Sequence, residues 1–252
     1  ILHAYEEYGE ECVGYFNGMF AFAIWDSRKR LFFIARDRAG VKPLYYSSKN
    51  NKLIFASEIK AILLHNDVNK ELDNNALYKY FTFRYIPGEQ TIFKDVKKLS
   101  PGHVMIYKLG AKKNTLKIKK YWDIKFKPEK KSIAAYSKEL NSTLKEAVSK
   151  RLISDVPLGA FLSGGLDSTY VVGLMEELCN QPIKTFSIGF ESGEGYDESK
   201  FSRLAAEAYG TDHHEIFIGE KSFRLLPKIL WHMDEPIADF ASIPTYILSE
   251  FA

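Results

Sequence analysis

The residues with the densest chemistry are Phe161-Leu162-Ser163-Gly164-Gly165-Leu166-Asp167-Ser168. They close an apolar run over 157–162, which reads as a buried strand, and open 169–179, which reads as a helix. A Ser/Gly-rich turn from a strand end into a helix start points several backbone N–H groups at one spot, with the positive end of the helix dipole behind them. Gly164 and Gly165 let the backbone approach an anion closely, because no Cβ intervenes. Ser163 and Ser168 add hydroxyls. Asp167 would repel a phosphate unless a cation lay between them, so the string reads as a phosphate cradle whose Asp167 holds Mg²⁺. The competing reading is an ordinary turn that uses Gly for shape and Ser for a cap.

The string is not a Walker loop. It lacks the Gly-Lys-Ser/Thr ending, and no lysine lies between Arg151 and Lys184. The dinucleotide glycine spacing is also missing. Ser163-Gly164-Gly165-Leu166-Asp167-Ser168 resembles the PP-loop of ATP pyrophosphatases, which cleave ATP to AMP and pyrophosphate while adenylylating an acceptor. Phe186-Ser187-Ile188-Gly189-Phe190 ends the next expected strand. Beside a phosphate loop it suggests an adenine site, with backbone groups of Ile188 and Gly189 on the base edge and Leu162 packed on its face.

Arg36-Asp37-Arg38-Ala39-Gly40-Val41-Lys42-Pro43-Leu44-Tyr45-Tyr46 is the second dense string. Physical chemistry alone makes it a charged loop in which Asp37 pairs with Arg36 or Arg38. A fixed carboxylate in a pocket would also bind the ammonium of an amino acid. His213-His214-Glu215 invites a metal reading. Adjacent strand residues point to opposite faces, however, so a strand start is preferred. Asp234, Glu235 and Asp239 either orient a substrate or line a solvated loop.

Two grammars position these residues. Up to about residue 124, strands are expected at 19–25, 31–35, 44–47, 53–56, 103–109 and 116–121. The pair at 44–56 turns through Asn50-Asn51. Helices are expected at 57–64 and after the cap Asp73, the latter with Ala76, Leu77, Tyr80 and Phe81 inward. This is an α+β layered antiparallel domain. Lys125 to Lys131 with Pro128 reads as a linker. Beyond it, Ser132 caps a long helix with Ile133, Tyr136, Leu140, Leu144, Val148 and Leu152 on one face. Strands at 157–162, 184–188 and 214–218 alternate with helices, one of them capped by Asp197 with Phe201, Leu204, Ala205, Ala208 and Tyr209 inward. Another helix is expected at 222–233. Such alternation implies a doubly wound parallel α/β sheet, whose ligands bind beyond the strands' carboxyl ends.

The 252 residues are 46% hydrophobic and 27% charged, with a net charge of +3. That balance suits a water-soluble globular chain and gives no case for nucleic acid. Ten lysines fall between Lys108 and Lys131, without the aromatic interleaving that base stacking needs. No apolar run reaches the ~18 residues that would span a membrane. Cys12 and Cys179 form no ligand pair and suit a reducing cytoplasm. Opening on Ile1 and stopping at Phe251-Ala252 within an apolar pattern, the chain is expected to be a piece of a longer one.

Phe16-Asn17-Gly18-Met19-Phe20-Ala21-Phe22-Ala23-Ile24-Trp25-Asp26, the string 36–46, Ala56-Ser57-Glu58-Ile59-Lys60-Ala61 and Pro101-Gly102-His103 resemble the glutaminase domain of glutamine-hydrolysing asparagine synthetases. Asp155-Val156-Pro157, 163–168, 186–190, Gly210-Thr211-Asp212-His213-His214-Glu215 and Asp234-Glu235-Pro236 resemble that family's synthetase domain, in the same order. The resemblance implies an Ntn-hydrolase-like amidotransferase domain over 1–124 and a PP-loop ATP pyrophosphatase domain over 125–252. It implies amidation of aspartate by glutamine-derived ammonia through aspartyl-AMP, with ATP and Mg²⁺. The same machinery acting on a sugar acid or another carboxylate, or a non-catalytic nucleotide-binding homologue, are its alternatives. Asp37 then corresponds to the carboxylate holding the glutamine amino group. Leu162, Ser163, Gly164, Gly165, Asp167, Ser168, Ile188 and Gly189 correspond to the nucleotide site, with Asp167 and Ser168 at the chemistry. The family also suggests a homodimer. No N-terminal cysteine nucleophile opens this sequence, and Cys12 is misplaced for one.

Overall fold

The computed structural model describes residues 1–191 and 198–252. They form two compact units, Ile1–Phe126 with Leu230–Ala238, and Lys127–Ile229 with Asp239–Ala252. The short segment 230–238, expected in the second domain, therefore clusters with the first unit.

In the first unit, α1 (Leu2–Tyr8) stops at Gly9, whose φ of 57° suits glycine, and a 3₁₀ turn follows over Gly9–Tyr15. The hairpin β1 (Ala21–Asp26) and β2 (Leu31–Arg36) pairs Ala21 with Arg36 and Asp26 with Leu31. β3 (Tyr45–Lys49) and β4 (Lys52–Ala56) turn through Asn50 and Asn51, both left-handed at φ 51° and 60°. That is the geometry a two-residue hairpin needs, and Asn tolerates it best after Gly. Next come α2 (Ile59–Ile62) and α3 (Asn74–Phe83), then β5 (Lys97–Lys98), β6 (His103–Lys108) and β7 (Thr115–Lys120). The strands make two antiparallel sheets, ordered β1-β2-β6-β7 and β4-β3-β5.

Strand alternation on β2 organises the core. Phe33 and Ala35 face Tyr5, Cys12 and Val13 of the N-terminal helical segment. Ile34 faces the other way, with Met105, onto Leu44 and Tyr46 of the second sheet. Tyr45 and Ile54 turn from that sheet toward Ile59 and Ile62 of α2. The layers therefore run helix, sheet, sheet, helix. Each fully buried side chain such as Phe33 or Ile34 contributes about 1.5–3 kcal/mol.

In the second unit, Ser132 caps α4 (Ile133–Ser149) by accepting from the Ala135 N–H at 3.2 Å. β8 (Gly159–Phe161), α5 (Leu166–Leu178), β9 (Lys184–Phe190), α6 (Ser199–Tyr209) and β10 (Asp212–Ile218) alternate as expected. A 3₁₀ turn precedes α7 (Leu226–Met233), and α8 (Ser242–Phe251) ends the chain. The strands lie in the order β10-β9-β8, all parallel. Phe251 of α8 meets Phe186 on one face of the sheet, while Ser202 of α6 meets Ser187 on the other. Both faces are thus covered, as a parallel sheet requires.

Several inward faces differ from expectation. Phe81 on α3, Ile133, Tyr136 and Leu140 on α4, and Phe201 and Leu204 on α6 are exposed. Only the last turns of α4 pack, Leu144 and Val148 against Leu174 and Met175. The inward face of α6 is Ser199, Ser202, Ala205 and Ala206. A helical period fixes which residues share a stripe, not whether anything covers it. Asp197, expected as the cap of α6, lies outside the described residues. No helix among the described residues is long and apolar enough to cross a membrane.

Candidate active site

The loop expected to cradle phosphate leaves the sheet where β8 ends. Leu162 N–H donates to the Phe186 carbonyl at 2.9 Å, extending the β8–β9 pairing by one residue. The backbone then turns at Gly164, φ 80°. A Cβ there would sit 2.7 Å from the Ser202 nitrogen and from Phe201 Cβ, so the position requires glycine twice over. Ser163 Oγ and Ser168 Oγ lie 2.9 Å apart, and Ser168 Oγ also accepts from the Ser163 N–H at 3.2 Å. This serine pair closes the loop.

Helix α5 opens with Gly165 as its cap residue and no side-chain cap bond. Its first N–H with an intrahelical acceptor is that of Thr169, bonded to the Gly165 carbonyl at 3.1 Å. The N–H groups of the turn before it, in Leu166, Asp167 and Ser168, have no intrahelical acceptor and face the dipole's positive end. Asp167 stands exposed in that turn, and among the described residues nothing pairs with it. The site thus presents unused donors and one unused carboxylate. Mg²⁺ commonly takes one or two protein carboxylates and completes its shell with phosphate oxygens and water. Asp167 fits that role, and no larger metal-ligating cluster exists among the described residues.

Ile188 and Gly189 sit two and three residues beyond Phe186, the partner of β8's last residue. The fold therefore brings them to the same sheet edge as Ser163 to Ser168. Leu162 needs correction. Its side chain is 0% exposed, sealed in the core with Val172, Ala205 and Ala206. It cannot pack on a base, and only its main chain remains for a ligand.

The two adjacent histidines diverge. His214 stacks on Phe186, ring centroids 5.4 Å apart, and lies 3.2 Å from Asp212. His213 turns to the opposite face, between Thr185 and Ser187. Those hydroxyls were invisible as a group in the sequence. Their one signal is small polar residues at alternate positions of an otherwise apolar strand.

The string around Asp37 is a closed knot. Asp37 Oδ1 accepts from the N–H groups of Ala39 (3.1 Å) and Val41 (2.9 Å), and Oδ2 from those of Phe20 (3.3 Å) and Lys42 (2.9 Å). The residue is 1% exposed. Burial alone would raise its pKa, but the N–H groups of Lys42, Val41 and Phe20 outweigh it and hold the carboxyl below the ordinary range. Arg36 is equally spent, donating to the carbonyls of Lys42, Leu99 and Gly40 at 2.7–2.8 Å. Asp37, expected to hold a glutamine amino group, has its acceptor positions occupied by backbone N–H groups, and these bonds fold the 37–42 loop and pin Phe20 at the entrance to β1.

Asp234 and Glu235 are not left in a solvated loop. Asp234, left-handed at φ 62°, accepts from the Ile59 N–H at 2.8 Å and pairs with Lys60 Nζ at 2.9 Å. It caps α2 from far along the chain. Glu235 accepts from the Ile92 N–H at 3.1 Å and pairs with Lys98 at 2.9 Å. Asp239 accepts from the Ala241 N–H at 2.9 Å, a local turn before α8.

Two family models match the chain, one described as a glutamine amidotransferase domain over residues 1–122 and one as asparagine synthase over residues 139–252. A protein of Methanocaldococcus jannaschii, provisionally named glutamine-hydrolysing asparagine synthetase 2, is 41% identical over 100% of this chain and 49% of its own length. Glutamine-hydrolysing asparagine synthetase 1 of Bacillus subtilis is 36% identical over 100% of this chain and 39% of its own. An amidase of Penicillium rubens, chyE, is 30% identical over 99% of this chain and 39% of its own. The chain thus spans about half or less of the length of these relatives. With both family models in sequence and this identity along its whole length, the chain belongs to the glutamine-hydrolysing asparagine synthetase family.

Proposed function

We propose that this chain carries the nucleotide half-site of an ATP-dependent ligase that amidates aspartate to asparagine with nitrogen from glutamine. The observation that carries the reading is the first turn of α5, with its unused N–H groups and unpaired Asp167 beyond the end of a parallel strand. In this reading residues 1–124 are the amidotransferase domain and 125–252 the ATP-binding domain. The helix–sheet–sheet–helix layering of the first unit supports an Ntn-hydrolase-like fold, and the parallel sheet with its glycine loop supports a PP-loop fold.

The free N–H groups at the start of α5 hold the ATP phosphates, the Ser163–Ser168 pair shapes the loop around them, and the main chain of Leu162, Ile188 and Gly189 meets the base. An oxygen of the acceptor carboxylate attacks the α-phosphorus, the bond to the bridging oxygen breaks, and pyrophosphate leaves. The acyl group, now bonded to AMP, is open to ammonia, which displaces AMP and forms the amide. A bound Mg²⁺, held by Asp167 and phosphate oxygens, would neutralise charge on the departing pyrophosphate. The dipole of α5 and its N–H groups serve the same charge from the protein side. ATP as substrate places the reaction in the cytoplasm.

The amidase name of a relative matched along nearly this whole chain favours a second reading, amidation of another carboxylate on the same scaffold. Pyrophosphate release by the intact enzyme, with ATP, ammonia and a panel of carboxylates, separates the two. Aspartate-dependent release is expected. Release only with a different acid would replace aspartate as acceptor, and no release with any acid would overturn the ligase reading.

A further inference from the structure

Beneath the phosphate loop lies a row of buried polar side chains that the reading above does not use. Thr185 and Ser187 of β9 share the face toward α6 and are 0% and 2% exposed. His213 bridges them, with Nδ1 2.9 Å from Thr185 Oγ1 and Nε2 3.0 Å from Ser187 Oγ. Thr185 Oγ1 continues to Thr211 Oγ1 at 2.8 Å. Ser187 Oγ continues to Ser202 Oγ at 3.3 Å, and Ser202 donates to the Ser199 carbonyl at 2.9 Å. Small apolar residues would pack between a strand and a helix without the desolvation cost of such a row. The far end of the row meets the loop. Ser202 belongs to the first turn of α6, and that turn is the floor on which left-handed Gly164 rests, too close for any Cβ.

We propose that His213 is a positioning residue for the nucleotide, fixing the first turn of α6 through Ser187 and Ser202 and thereby the height of Gly164 and the loop's donors. This rests on the ATP reading above. Burial pushes the His213 pKa below its ordinary value. The neutral ring then offers one donor and one acceptor, which is what linking two hydroxyls needs. The charged groups around it are Glu215 and Arg203, which pair with each other at 2.8 Å, and His214 when protonated.

The two ring nitrogens give the test its discrimination. A glutamine amide reaches about where Nε2 stands and can keep the Ser187 link. An asparagine amide reaches about where Nδ1 stands and keeps only the Thr185 link, on the side away from the loop. In the intact enzyme, His213→Gln is expected to hold the ATP KM within about threefold of wild type. His213→Asn, His213→Leu and Ser202→Ala should raise it about tenfold, the scale of one lost hydrogen bond, with the acceptor KM unchanged. Melting temperatures are recorded alongside, and Ser202→Ala, a minimal truncation, guards against misfolding of the larger changes. Equal ATP KM in all variants, or a rise that merely tracks melting temperature with His213→Gln no better than His213→Leu, overturns the proposal while leaving the ligase reading intact. A wild-type enzyme with no ATP-dependent turnover sinks both.

Discussion

The strings 36–42 and 163–168 look alike on the page, both short, polar and glycine-containing, and they are opposites in space. Around Asp37 the carboxylate and the neighbouring guanidinium are spent: four backbone N–H groups on Asp37, three carbonyls on Arg36. Around Asp167 the donors of a helix start and the carboxylate itself are unspent. A group satisfied within the fold contributes stability and has nothing left for a ligand. A group left open costs stability and is available for binding. The count of unused donors and acceptors, rather than the density of polar residues, separates a structural knot from a site.

The largest effect expected from this contrast is on catalysis. Asp167→Ala should lower acceptor-dependent pyrophosphate release by about two to three orders of magnitude, because it removes a metal ligand where charge develops. Melting temperature should move by no more than about 2 °C, since the exposed side chain makes no hydrogen bond or ion pair among the described residues. A Mg²⁺ titration of the intact variant, with melting recorded in parallel, checks both halves. Unchanged turnover with a lowered melting temperature would make Asp167 a helix-start residue and erase the distinction between the strings.

Asp37→Asn should do the reverse. The amide would bring N–H groups against N–H groups on at least one side, at a cost of about 3 kcal/mol or more, or a fall in melting temperature on the order of 10 °C. The ATP KM should stay as in wild type. Because the folded pKa of Asp37 lies below its unfolded value, the stability it contributes is present above about pH 4 and lost as pH falls through the folded pKa. The variant should therefore lose its disadvantage in acid. A normal melting curve with a selective rise in glutamine KM would restore Asp37 as a ligand-binding group.

Much of this was legible from local signals, and the failures share a cause. Asp73 caps α3 through the N–H groups of Asn75 and Ala76, the Asn50-Asn51 turn is left-handed, and β8, β9 and β10 alternate with helices. All are decided within a few residues. Three of the four N–H groups on Asp37 lie within five residues, in a loop whose closure no period or cap signals, and the fourth is that of Phe20, seventeen residues away; Glu235 depends on Ile92 and Lys98, more than a hundred away. Leu162 adjoins the loop in sequence, which suggests a place against a base, yet α5 and α6 close over it. Sequence pattern names candidate groups, but tertiary partners decide which remain available.

Glu235 sharpens the contrast with the smallest effect, because it is a buried carboxylate midway between the two. It is 8% exposed and, among the described residues, has the Ile92 N–H and the Lys98 ammonium as partners. Burial raises its pKa, and Lys98 with the Ile92 N–H only partly offsets that, so the net shift is upward, opposite to Asp37. The balance of donors against burial sets the sign: four backbone N–H groups outweigh the burial of Asp37, while one N–H and one ammonium do not outweigh that of Glu235. Between its unfolded pKa and its raised folded pKa, the folded chain holds a proton that the unfolded chain has lost. Stability from this group therefore declines as pH rises through that window and recovers as pH falls toward the unfolded value. Glu235→Gln cannot titrate, and it keeps an acceptor for Ile92 while giving up the ion pair. Wild type should accordingly gain on the variant by about 2 °C in melting temperature on going from pH 7.5 to 5, a small fraction of the Asp37→Asn effect. Matched melting curves of the two proteins across that range measure it. If wild type instead loses ground in acid, Lys98 outweighs burial, Glu235 behaves as Asp37 does, and donor count no longer predicts which way a buried carboxylate shifts.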